Sequence, residues 1–269
     1  MGESCRFVGV IIEVLLEGKK GLVMGVAGHR SIATAVACHA IHNQAEVVAT
    51  YLADDSGKAK QRAEKGLEQQ SLANLLACDA TNTLSIQSVI SEIKEYWGKI
   101  DFLVHSIAWA PIAELRQPVL QCSRQGFLDA MNASVYSLIE VLREANEILA
   151  PGGSVVTMTY LGSQKVVPGY NTMGIAKAGL EAATRYLSYD LGKQDIRVNA
   201  VSAGPLKTLA SSAIPSFQEM QQMAQEKSPL NHPLEHQDVA KAVTYLLSDY
   251  ASGVTGEIHH VDCGYNVMA

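Results

Sequence analysis

The chain has 269 residues, of which 48% are hydrophobic and 18% charged, and carries a formal net charge of −6 at pH 7. That balance excludes a disordered chain and fits a single α/β domain able to bury a deep core. The acidic charge argues against a nucleic-acid partner, because counterion release needs a basic surface.

Residues 1–14 read as an N-terminal appendage ahead of one domain spanning 15–269. The apolar run from Val8 to Leu16 carries Glu13. It is too short to cross a bilayer and lacks the marks of a signal peptide, so no membrane partner is expected. Gly21 to Ala27 is a short apolar run ending in a glycine turn, as a buried parallel strand should be. Ser31 opens a helix with Ile32, Ala35, Val36 and Ala40 on one face. Strands follow at 45–51 and 72–78. The next helix places Ile86, Val89, Ile90, Ile93 and Trp97 on one stripe and stops at Gly98. Strand 100–106 leads into a long helix over 123–149, closed by Pro151-Gly152-Gly153. Strand 154–159, helix 170–192, strand 196–202, helices near 216–227 and 237–248, and a strand near 257–262 complete the chain. This alternation predicts an α/β fold: a single-domain, doubly wound, Rossmann-like parallel sheet of about seven strands with helices on both faces. The five cysteines are odd in number and contain no C-x-x-C pair. Neither a disulfide framework nor a metal site is expected, and a reducing cytoplasmic setting is.

Ligands of such sheets bind beyond the carboxyl ends of the strands. The first end offers a tight turn at Gly25 and a helix start at Ser31, whose free N–H groups suit a pyrophosphate. Ser31 either caps that helix or donates to a phosphate; the turn is not a G-x-G-x-x-G fingerprint. Asp79, at the third strand end, either accepts from an adenine amino group or begins the next helix. His105-Ser106-Ile107-Ala108 ends the fourth strand and permits close approach of a ribose. The second strand end, Thr50 to Asp55, holds two acids and no cation before Lys58. NADH is therefore favoured over NADPH, whose 2′-phosphate those acids would repel.

Tyr170 and Lys177 are seven residues apart, which places them on one helix face two turns apart, within about 20°. A phenol beside an ammonium suits a proton donor, the cation lowering the phenol pKa and holding ribose hydroxyls. Spacing alone fits equally a surface pair that shares a face by chance. Further motifs accompany the pair: Tyr160-Leu161-Gly162-Ser163, the Gly25-to-Ala33 turn, His105 to Ala108, and Ser202 to Thr208. Together they resemble the bacterial enoyl-acyl-carrier-protein reductases, a divergent branch of the short-chain dehydrogenases. The resemblance runs from near Leu16 to the C-terminus. Ordinary short-chain dehydrogenases carry a tyrosine four residues before the lysine, where this chain has Met173.

The resemblance implies roles residue by residue. Gly25, Ser31 and Ile32 contact the cofactor phosphates, Leu52 borders the adenosine ribose, and Asp79 and Ala80 hold the adenine. Ser106 and Ile107 lie beside the ribose and nicotinamide, and Lys177 grips the nicotinamide ribose. Leu206, Lys207, Thr208, Leu209 and Ala210 line the pyrophosphate and carboxamide. Tyr170 donates to the thioester carbonyl oxygen, Tyr160 flanks the acyl chain, and Ala110 and Met173 line the substrate pocket. The implied reaction is NADH-dependent reduction of a trans-2-enoyl thioester on acyl carrier protein, the last step of the fatty-acid elongation cycle. A homotetramer is implied, with helices 123–149 and 170–192 as contact surfaces.

Three positions depart from the family pattern: Gly28, where Asn or Ser is usual; Leu52, where a polar residue is common; and Cys263, where glycine is. The carrier protein is acidic, yet helix 216–227 sets Glu219 and Glu226 against Lys227 alone. Docking then falls to Lys193, Arg185 or Lys207. The alternatives are a short-chain reductase of another carbonyl or of an enoyl-coenzyme A ester, and a non-catalytic dinucleotide sensor.

Overall fold

The computed structural model describes residues 14–68, 70–209, 211 and 217–268. Its strands are β1 (Lys20–Met24), β2 (Glu46–Tyr51), β3 (Asn74–Ala77), β4 (Ile100–His105), β5 (Leu149–Thr159), β6 (Arg197–Ala203) and β7 (Ile258–Val261). They form one sheet in the order β3-β2-β1-β4-β5-β6-β7, with every neighbouring pair parallel. β1 and β6 are buried along nearly their whole length because both of their faces are covered.

Side chains alternate between two cores. Leu22, Met24, Leu103 and Val155 enter the one beneath α3 (Thr83–Trp97), α6 (Ser137–Ala145) and α7 (Asn171–Gly192). Val23, Phe102, Val104 and Val156 enter the other, beneath α1 (Ile32–His42), α2 (Lys58–Leu67) and α9 (His236–Leu247). A Cβ at Gly21 would lie 2.1 Å from the Phe102 ring, so a side chain there would evict the largest of the fully buried side chains.

The sequence places no helix between the second and third strands, yet α2 forms there. Only Ala63 and Leu67 of it are buried, too sparse an apolar stripe to stand out from a charged stretch. The long helix expected over 123–149 is three pieces: α5 (Arg124–Met131), a π-helical turn at Asn132–Tyr136, and α6. The π turn buries Ser134, whose hydroxyl donates to Trp109 O at 2.9 Å and accepts from Trp109 N at 3.0 Å. Pro151-Gly152-Gly153 lies inside β5 rather than closing a helix. The register slips there, so the missing proline N–H leaves no broken ladder. Two further helices are α4 (Ile112–Arg116) and α8 (Phe217–Lys227). The expected appendage lies, but for residue 14, outside the described residues, among which no helix is long and apolar enough to cross a membrane.

Candidate active site

The chain leaves β1 toward β2 on one side and returns to β4 on the other, which opens a crevice beyond their carboxyl ends. Gly25 sits at its mouth with φ +96°, and a Cβ there would meet Ser106 O at 2.3 Å and Ile107 Cγ1 at 3.5 Å. Gly25, Ser106 and Ile107 are thus brought together, and the cradle they leave is one a side chain would fill. The next turn is held by Ser31, whose Oγ accepts from Ala27 N and Thr34 N, both at 3.2 Å. Ser31 and Thr34 hydroxyls share a 2.7 Å hydrogen bond, and Thr34 donates on to Gly28 O at 2.9 Å. Ser31 caps α1, and Ile32 is that helix's first residue. Gly28 has φ +117°, and a Cβ on Gly66 of α2 would lie 2.9 Å from the Gly28 carbonyl carbon. The departure at Gly28 therefore accompanies a helix packed directly on the turn's backbone.

Cys78 N donates to Tyr51 O at 2.9 Å, which sets the ends of β2 and β3 side by side. Leu52 follows one and is 62% exposed; Asp79 and the buried Ala80 follow the other. Asp79 Oδ1 accepts from Thr81 N at 2.8 Å and Thr81 Oγ1 at 2.7 Å, while Asn82 caps α3. Asp54 accepts from Ala59 N at 3.2 Å at the start of α2 and faces Arg62 at 3.8 Å. In the loop after β6, Leu206 is buried and Lys207 and Leu209 are exposed. Thr208 N donates to Ser211 Oγ at 2.8 Å and Ser211 N returns a 3.0 Å bond to Thr208 Oγ1. Ser211, which sequence reasoning missed, thereby fixes that loop. Ala210 lies outside the described residues.

Tyr170 immediately precedes α7 and Lys177 lies two turns inside it; both are buried. Lys177 Nζ donates to Met158 O at 2.7 Å at the end of β5. Tyr160 meets Tyr170 edge-on, with ring centroids 4.8 Å apart. Two glycines permit this: a Cβ at Gly162 would lie 2.4 Å from the Tyr170 ring, and one at Gly174 would lie 2.7 Å from Gly162 O. Burial, with Tyr160 adding a smaller push, raises the Tyr170 phenol pKa. The lowering by Lys177 expected from the spacing is not among the causes of the shift, and the phenol stays a donor. Burial also pulls Lys177 down to about 8, against an opposing effect of Glu181. Met173 is buried, its sulfur 3.9 Å from Ser134 Oγ, and shares one apolar cluster with Ala110, Leu115 and Tyr170.

Sequence reasoning missed the contacts of four more side chains here, naming His105 only as part of its strand-end motif. His105 is fully buried between Thr157 Oγ1 (3.1 Å) and Ser137 Oγ (3.0 Å), and burial, then Lys177, pull its pKa down to about 3. Asn171 has φ +41° and donates to both Leu115 O and Gln117 O at 3.0 Å, which lashes α4 to the start of α7. Glu114 accepts from Ser123 Oγ and Gln117 Nε2, both at 2.6 Å, and from Ser123 N at 3.1 Å. Those bonds, Ser123 first, hold its carboxyl at about 2. Glu181 is the fourth. The partners of His105, Asn171 and Glu181 lie far away in sequence, and those of Glu114 lie in an irregular loop, so no regular spacing reveals them. Cys263, the third departure, adopts φ +58°, the left-handed region where glycine costs least.

The single helix face expected from the spacing does not extend to Tyr170, because α7 begins at Asn171 and that residue is left-handed. A Gly-turned crevice at the switch point, with a buried phenol just before α7 and a buried ammonium inside it, nonetheless defines a doubly wound, dinucleotide-dependent reductase. The family profile described as Enoyl-(Acyl carrier protein) reductase matches residues 25–266. The NADH-dependent enoyl-[acyl-carrier-protein] reductase of Rickettsia felis is 45% identical over 255 residues, covering 94% of this chain and 96% of that protein. The crystal structure of the Aquifex aeolicus enoyl-[acyl-carrier-protein] reductase (NADH) superposes with a TM-score of 0.90 at 40% identity, covering 94% of this chain and 98% of that one. That of Anaplasma phagocytophilum, in complex with NAD, gives 0.87 at 41% identity, covering 94% and 96%. The chain belongs to the enoyl-acyl-carrier-protein reductase family.

Proposed function

We propose that this chain reduces the carbon–carbon double bond of trans-2-enoyl thioesters on acyl carrier protein, with Tyr170 and Lys177 as its working pair. The observation that carries this reading is the burial of both side chains, Tyr170 immediately before α7 and Lys177 within it, with apolar Met173 where a ketone reductase would need its tyrosine. Bound NADH supplies the hydride that adds to the β-carbon. The Tyr170 hydroxyl donates to the thioester carbonyl oxygen and stabilises the negative charge that develops there. A proton from solvent or through Tyr170 then reaches the α-carbon to complete the reduction. Lys177, anchored on Met158 O by one proton, keeps two for the nicotinamide ribose. Gly25, Ser106, Ile107 and the α1 N-terminus seat the phosphates and ribose, while Leu52, Asp79 and Ala80 flank the adenosine. Leu206 to Leu209 line the pyrophosphate and carboxamide. Tyr160, Ala110 and Met173 shape the acyl pocket and exclude water from it.

The test is NADH consumption with a crotonyl thioester. Tyr170→Phe loses about 10²–10³-fold in kcat, as when one oxyanion donor is removed. Lys177→Ala raises the KM for NADH. Wild-type kinetics in both variants overturn the assignment.

We place this activity in the cytoplasm, in a homotetramer. Leu128, Tyr136, Ile139, Tyr186 and Tyr189 are exposed on α5, the π turn, α6 and α7, an apolar expanse suited to subunit contact. Sedimentation as a monomer overturns this. Of the candidate docking cations, Arg185 and Lys193 lie about 22 and 34 Å along α7 from Tyr170, at about 1.5 Å per residue. Lys207, exposed in the loop after β6, is the one beside the crevice.

A further inference from the structure

Glu181 is a carboxylate that the reaction as described does not use, and it is only 5% exposed. It stands one turn beyond Lys177 on α7, where side chains four residues apart meet. Its Oε1 accepts from Thr159 Oγ1 at 2.8 Å and from Ser163 Oγ, and its Oε2 faces Gln164 Nε2 at 3.5 Å. Lys177, meanwhile, holds the carbonyl of Met158. The two charges therefore grip Met158, Thr159, Ser163 and Gln164, the residues on either side of Tyr160. Tyr160 in turn lies edge-on against Tyr170.

A buried carboxylate without a countercharge is costly, and so is a buried ammonium. Here Glu181 lies close enough to raise the pKa of Lys177. The other titratable group whose interaction with Lys177 is resolved is His105 on β4, which burial keeps neutral, and the phenols of Tyr160 and Tyr170 have raised pKa values. Glu181 is the one anion whose effect on Lys177 is resolved.

We propose that Glu181 is a positioning residue of the reductase. Its carboxylate supplies the countercharge to Lys177 and, through Thr159 and Ser163, fixes the turn that carries Tyr160 against Tyr170. The inference rests on the roles given above to Tyr170 and Lys177. It separates two contributions of one side chain, the charge and the hydrogen-bond acceptors.

The experiment compares wild type with Glu181→Gln, Glu181→Asp and a Thr159→Val/Ser163→Ala double variant, using NADH and crotonyl-coenzyme A across pH 6 to 10. Glu181→Gln keeps an oxygen for the two hydroxyls but loses the charge. Lys177 then loses its proton earlier, and the alkaline limb of kcat/KM moves to lower pH by about one unit, the lower end of what an opposite charge within a few ångströms contributes. Its thioester KM stays within about twofold, because the turn is still held. Glu181→Asp keeps the charge and so returns the limb toward wild type. The double variant keeps Glu181 and raises the thioester KM several-fold without moving the limb. It also serves if Glu181→Gln does not fold.

Superimposable pH profiles for Glu181→Gln and wild type overturn the proposal, as does a double variant with unchanged KM. A Lys177→Ala control that retains the wild-type alkaline limb instead removes the role given to Lys177 itself. Those outcomes are distinct, since the first leaves the Lys177 control behaving as expected.

Discussion

At Gly25 a single hydrogen atom in place of a side chain keeps the crevice open. The strands on either side are held by the β1–β4 ladder, so neither can step back from a Cβ placed 2.3 Å from Ser106 O. Strain of this kind costs about 1–3 kcal/mol. Gly25→Ala is expected to weaken NADH binding tenfold or more, since about 1.4 kcal/mol is a factor of ten; quenching of protein fluorescence by NADH measures it. Gly25 was legible because a glycine closing an apolar strand has few other uses. Tyr170 and Lys177 were legible from spacing and accompanying motifs. His105, Glu114 and Glu181 were not, because a buried polar residue is defined by partners that only the fold brings to it. The direction of the Tyr170 shift was likewise beyond spacing, since burial decided it.

At the level of elements, the acyl pocket proposed above is built by attaching short, weak pieces to a strong one. α4 has five residues, too few to stand alone, and is held to α7 by the two Asn171 bonds and to α5 by the Glu114 knot. Asn171→Ala removes two hydrogen bonds worth about 1 kcal/mol each. It should raise the KM for the thioester several-fold and leave that for NADH unchanged, because the crevice lies on β1 and β4. Steady-state kinetics with each substrate varied in turn decides it; equal changes in both would place α4 elsewhere in the mechanism. The strands and the long amphipathic helices were readable from periodicity. α2 was not, with only two buried residues, and the π turn was not, because one inserted residue leaves the apolar pattern of a helix nearly intact.

For the whole molecule, acid stability follows from the groups it buries. His105 falls from 6.5 in the unfolded chain to about 3 in the fold, and Glu114 from 4.5 to about 2. In both windows the unfolded chain binds more protons, so stability rises with pH. The His105 contribution is fully present above about 6.5 and is lost as pH falls toward 3; that of Glu114 is lost between 4.5 and about 2. Urea midpoints should decline from pH 6.5 downward. His105→Gln, which cannot titrate, should flatten the upper part of that decline relative to its own value at pH 7. An unchanged slope would mean that the imidazole is charged in the fold. The doubly wound architecture itself was plain from the order of elements, since a parallel sheet needs a crossover between its strands.

The switch point between β1 and β4 has a mechanical consequence. On the reading proposed above, the adenosine side of the crevice is made by the chain up to residue 80, and the catalytic side by the chain from residue 105 onward. A dinucleotide lying across it acts as a clasp between these two segments, whose central strands otherwise meet along a single ladder. Saturating cofactor should therefore slow proteolytic nicking on both sides together, and by the same factor, as one closed seam rather than two separate surfaces.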